Sequence, residues 1–130
     1  MSNLGINGQR GDRRKERGRK AEQAACEHLI SQGYTILERN WRCRSGELDI
    51  IASKRDLLVI VEVRSRSQQA AAFGTPAESV NARKIKQVRD TAAVYLHRRG
   101  QSDANLRFDV IAVTFGYGDT IALEHILAAF

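Results

Sequence analysis

Three carboxylates and a guanidinium, Glu47, Asp49, Glu62 and Arg64, interrupt the otherwise apolar and β-branched segment GELDIIASKRDLLVIVEVRSR, residues 46–66. A carboxylate in such a setting is costly unless a cation or a bound metal pairs with it. The segment reads as two strands joined by the polar turn SKRD. With the turn centred on Lys54 and Arg55, Glu47 faces Glu62 and Asp49 faces Ile60. Alternation then gathers Glu47, Asp49, Ile51, Leu58, Ile60, Glu62 and Arg64 on one face. The other face, Leu48, Ile50, Ala52, Leu57, Val59, Val61 and Val63, is wholly apolar. Like charges opposite one another destabilise a sheet, so the acidic face requires cations. Arg64 supplies one, and a hard divalent ion such as Mg²⁺, which takes carboxylate and carbonyl oxygens, supplies more. Pairing of Glu47 and Glu62 with Arg64, Arg66 or Arg44 on a partly exposed face satisfies the same geometry.

The rest of the chain provides elements to hold this hairpin. A helix is expected from about Arg13 to Gln32, closed by Gly33, with an apolar stripe through Ala25, Cys26 and Leu29 on which Glu22 also falls. YTILERNW reads as a first strand, GELDIIA as a second and LLVIVEVRSR as a third. After the small-residue loop SQQAAAFGTP, Thr75 and Glu78 have capping-box spacing, with Asn81 as an alternative cap. The second helix carries Ile85, Val88, Ala92, Tyr95 and Leu96 on its stripe and stops at Gly100; LRFDVIAVTF and TIALEHILAAF follow as further strands. The connections among the first three strands suit an antiparallel meander, and the third strand, second helix and fourth strand suit a parallel crossover. The expectation is an α/β fold: a mixed sheet flanked by helices.

The 130 residues suit a single domain over 13–130 preceded by a flexible basic tail over 1–12. The net charge is +6, and residues 1–20 hold seven Lys or Arg against Asp12 and Glu16. Such a run is a solvated arm or a salt-sensitive attraction to a polyanion. The longest clean apolar run is LLVIV, far short of a membrane span, and the N-terminus lacks the apolar core of a signal peptide. Cys26 and Cys43, without CxxC spacing, read as free thiols in a cytoplasmic protein.

The spacing GELD followed by Glu-x-Arg resembles the PD-(D/E)xK motif of the restriction-endonuclease-like superfamily, whose core is αβββαβ. The landmarks GRKAEQAA, NWRCRSGELDIIA, VEVRSR, GTPAESV followed by Lys84, RFDV and a final EH resemble, in order, those of the YraN family, small bacterial proteins usually described as predicted endonucleases. The resemblance covers about residues 17–130. It implies a Mg²⁺- or Mn²⁺-dependent phosphodiester hydrolase acting on nucleic acid, DNA first, in branched or flapped form. It makes Asp49 and Glu62 the metal ligands, adds Glu22 from the first helix, sets Arg64 in the lysine position, and leaves Glu47 an accessory. Arg64 departs from the signature, since a guanidinium does not give up its proton and is no general base. The alternative is a catalytically silent nucleic-acid-binding or adaptor protein on the same fold.

Phosphate contacts are expected from Arg42, Arg44, Arg66, Lys84 and Lys86, with Arg39, Arg83 and Arg89 nearby; these position a backbone without reading sequence. Trp41 reads as partial core in preference to a base-stacking ring. His28, His97 and His125 are too scattered in sequence for a metal cluster, and Arg107 and Asp109 share a strand face, either as a buried structural ion pair or in a functional role. A homodimer through the fourth strand or the final apolar segment is allowed, and nothing in the sequence requires it.

Overall fold

The computed structural model describes residues 2–68, 80–118 and 120–130, with side chains from residue 13 onward. The elements are α1 (Ser2–Ser31), β1 (Thr35–Cys43), β2 (Gly46–Lys54), β3 (Leu57–Ser67), α2 (Ala82–Arg98), β4 (Asn105–Phe115) and β5 (Ile121–Ile126). α1 begins at Ser2, N-terminal of the expected start near Arg13. The tail expected over 1–12 concerns residues whose side chains lie outside the described set. The loop 67–76 and the Thr75–Glu78 box fall largely in 69–79, also outside it. Asn81 is the N-cap of α2: its side chain accepts from the Lys84 N–H at 2.9 Å.

The five strands lie in sequence order in one mixed sheet, β1, β2 and β3 antiparallel, β3 and β4 parallel, β4 and β5 antiparallel. Its two faces are both covered. Ala21, Ala25, Cys26 and Leu29 of α1 pack on Ile50, Ala52, Val59, Val61, Ile111 and Val113. Val88, Ala92, Tyr95 and Leu96 of α2 pack on Ile51, Leu58, Ile60 and Phe108. This two-sided burial explains why β3 reads as an unbroken apolar run. Trp41 is partly buried against the core, edge-on to Tyr95 at 5.1 Å. Cys26 and Cys43 are free thiols.

Two details of the hairpin differ from the sequence reading. Lys54 pairs with Leu57, so the turn is Arg55-Asp56, not Lys54-Arg55, and Arg55 takes a left-handed φ of 56°. A two-residue loop suits strand twist, and it carries Leu57 into the sheet. The shift is two residues, so the paired stretch from Ile50 to Ala52 and from Leu58 to Val61 keeps its faces while its partners change. Glu47 therefore does not face Glu62, and Ile51, not Asp49, pairs with Ile60. Leu48 also leaves the expected apolar face and joins the cluster under α2. It pairs with Trp41, immediately past Asn40, whose left-handed backbone (φ 52°) breaks the alternation of β1.

Candidate functional site

Pairing of β2 with β3 ends at Ile50↔Val61, one step before Asp49 and Glu62. Beyond it the Val63 N–H donates at 2.8 Å to Oδ2 of Asp49, in place of a carbonyl across the hairpin. The strands part where the two acids stand. Glu62 is buried, 2% exposed, and Asp49 half-buried. Burial first, then the Asp49 charge, pushes the Glu62 carboxyl up to about 7. Burial likewise raises Asp49 and the Val63 N–H opposes that; Glu22 and Glu47 raise it further and Lys84 lowers it. Two carboxylates that perturb each other form one centre, short of positive charge.

The cation in contact with it comes from α2. Lys84 Nζ lies 3.6 Å from Glu62 Oε2, and the Asn81 cap fixes the lysine backbone. Arg64, two residues along β3, acts on Glu62 through its charge. Oε1 of Glu62 and Nε of Arg64 are both buried without a hydrogen-bond partner. Buried polar atoms are almost always satisfied, so this acceptor and donor mark a place where water, an ion or a ligand belongs. An unpartnered carboxylate oxygen beside a second carboxylate fits a hard cation.

The other expected residues surround this centre. Glu47 pairs with Arg42 at 3.4 Å on the surface, a weak interaction. Glu22 accepts from Asn40 Nδ2 at 3.0 Å and reaches Asp49 electrostatically. Among the described residues no three of His, Cys, Asp and Glu converge tightly enough to hold a metal on their own side chains. Arg66 donates to Thr114 Oγ1 at 3.2 Å, Lys86 is tied to Asp90 at 2.7 Å on an exposed helix face, and Arg44 is exposed in the β1–β2 turn. That turn needs Gly46: its φ is 149°, and a Cβ there would meet the Gln87 side chain at 2.8 Å.

A second polar cluster joins residues read separately in the sequence. Asp109, fully buried, accepts two 2.8 Å bonds from Arg107, one from the Ala128 N–H at 2.9 Å, and lies 2.8 Å from His125 Nε2. Arg107 also donates to the Tyr34 hydroxyl at 2.6 Å. His28 Nε2 lies 3.2 Å from His125 Nδ1, so two of the three scattered histidines meet across α1 and β5. These contacts hold Asp109 below the ordinary carboxylate range against the effect of its burial. Alternation in LRFDV revealed the Arg107–Asp109 pair; no sequence signal linked it to Tyr34 or the C-terminal histidine.

The fold and the centre together define an α/β protein with a carboxylate pair, flanked by a lysine and an arginine, at the split end of a central hairpin. The model of the uncharacterised protein family UPF0102 matches residues 21–113, and the chain belongs to that family. A UPF0102 protein of Moorella thermoacetica is 47% identical over 118 residues, covering 90% of this chain and 97% of that protein. One of Pelotomaculum thermopropionicum is 44% identical over 120 residues (92% and 98%), and one of Rhodococcus opacus 39% over 113 (87% and 94%). Among the described residues no helix is long and apolar enough to cross a membrane.

Proposed function

We propose that the chain is a metal-dependent endonuclease that hydrolyses phosphodiester bonds in nucleic acid, DNA in branched or flapped form first among them. The observation that carries this reading is the buried, unpartnered Glu62 Oε1 beside Asp49, with both carboxyls raised by burial. The likeness to PD-(D/E)xK and YraN proteins points the same way, and the proposal includes a working place in the cytoplasm with nucleic acid as partner. Asp49 and Glu62 would hold Mg²⁺ or Mn²⁺, with the Val63 carbonyl and with Glu22 at the rim. A bound divalent ion supplies hydroxide near neutral pH and charge stabilisation at phosphorus.

The chain's own groups do the rest. The Val63 N–H fixes the Asp49 carboxylate. Lys84 holds positive charge against Glu62, and the Arg64 guanidinium offers a buried donor for a phosphate oxygen. Arg42, Arg44 and Arg66 steady the backbone to either side. The rival reading is a silent nucleic-acid-binding adaptor, favoured by an arginine in the lysine position and by a lysine already compensating Glu62.

Titration calorimetry with Mn²⁺ and Mg²⁺ separates them. The nuclease reading expects heat of binding from the wild type and its loss in Asp49→Asn. Absence of heat from both proteins overturns it in favour of the adaptor.

A further inference from the structure

Three depressions run together from the ends of β3 and β4 onto the exposed side of α1. Ser67, Gln68, Gly116 and Tyr117 line the first, about 310 Å³, and Phe115 joins it to a second of about 370 Å³ between Arg13, Arg17 and Gly118. Glu16 and Lys20 join the second to a third of about 570 Å³, bounded by Arg19, Glu22, Arg39 and Asn40. The whole is a trough with five exposed cations, Arg13, Arg17, Arg19, Lys20 and Arg39, against Glu16 and Glu22. One end is Glu22, within electrostatic reach of Asp49. At the other stands Tyr117, 83% exposed, the one strongly exposed aromatic ring among the described residues.

We propose that this trough binds single-stranded nucleic acid, its cations on successive phosphates and the Tyr117 ring stacked on an unpaired base. A positively charged groove with aromatic platforms is the arrangement that holds single strands without reading sequence. In a duplex the base faces are covered by their neighbours, so an upright ring at the edge of a basic trough has nothing to stack on. The stretch of α1 from Arg13 to Glu22 spans ~15 Å, room for about four stacked nucleotides at ~3.4 Å each. Trp41, read from the sequence as partial core in preference to a base-stacking ring, is packed on Tyr95 and lines none of the three depressions. The proposal deepens the nuclease reading: it rests on Asp49 and Glu62 as the place of cutting for its direction, with a single-stranded arm leading to the acids.

The test is fluorescence anisotropy with labelled oligo-dT and oligo-U of about twelve nucleotides, within the usual span of such sites, and a duplex of equal length, all in EDTA. Tyr117→Ala should weaken single-strand binding about ten-fold or more, with Tyr117→Phe close to wild type. Duplex affinity should be the same for all three proteins. Arg17→Ala with Lys20→Ala should flatten the salt dependence of oligo-dT binding, by about 0.7 in log–log slope for each phosphate no longer neutralised. Tyr117→Ala binding oligo-dT as tightly as wild type, or losing duplex binding equally, overturns the proposal. Cleavage plays no part in EDTA: Tyr117-dependent binding by a protein that never cuts would remove the nuclease reading and leave this one standing.

Discussion

Lys84 Nζ lies 3.6 Å from Oε2 of Glu62, so the cation in contact with the buried carboxylate comes from the first turn of α2, while Arg64 on the same strand acts on it only through its field. Replacing Lys84 by Met should drive the Glu62 carboxyl further above its present value of about 7, read directly by carbon NMR of the glutamate side chains. If the nuclease reading holds, cleavage by Lys84→Met falls about 10²- to 10³-fold, as for loss of one charge-stabilising donor, and Lys84→Arg recovers part of it. A Glu62 titration indifferent to Lys84 would contradict the assignment.

Glu62 destabilises the metal-free fold at neutral pH and above. Its folded pKa of about 7 exceeds the ordinary 4.5, so the native state keeps a proton the unfolded chain has released. Stability is therefore greatest below the unfolded value and is lost as pH rises through about 7. At ~1.4 kcal/mol per unit the loss reaches at most about 3 kcal/mol. Glu62→Gln in EDTA should melt higher than wild type at pH 8 and nearly with it at pH 4. Equal melting temperatures at pH 8 would mean the carboxylate is not isolated.

Asp109 is the converse case. Its folded pKa is depressed, so it contributes stability above the unfolded carboxylate range that is lost as pH falls through the folded value. Asp109→Ala strips Arg107 and His125 of their shared acceptor and frees the Ala128 N–H. Breaking such a buried pair costs about 3–5 kcal/mol. Urea denaturation should register that loss, and early hydrogen exchange at Ala128 and Ala129 should accompany it. A loss under about 1 kcal/mol, the size of a surface pair, would make the cluster ornamental to stability.

The faces of the paired stretch, Ile50 to Ala52 and Leu58 to Val61, were readable from the sequence because strand alternation has period two and the hairpin shift was also two residues, whereas Leu48, beside Asp49, departs from that alternation. The partners were not readable. They hang on whether Lys54 or Asp56 enters the turn, and both are ordinary turn-edge residues. Lys84 was visible as a basic residue near a helix start, yet its contact with Glu62 depends on α2 folding back beneath β3, which no local pattern encodes. The Asp109 cluster was half legible for the same reason: Arg107 and Asp109 are neighbours on one strand, whereas Tyr34, His28 and His125 reach them through the tertiary fold.

Metal-dependent cutting at the Asp49–Glu62 centre meets its most direct test in a cleavage assay with purified wild type and Asp49→Asn. The substrates are flapped, branched and single-stranded DNA and RNA, in Mn²⁺ or Mg²⁺ and in EDTA. Wild type should cut at least one of these when metal is present. EDTA should abolish the cutting, and so should the substitution, which keeps the size of the side chain that Val63 contacts. Cutting that persists in Asp49→Asn at the wild-type rate, or binding by both proteins with no cutting under any metal, would contradict it.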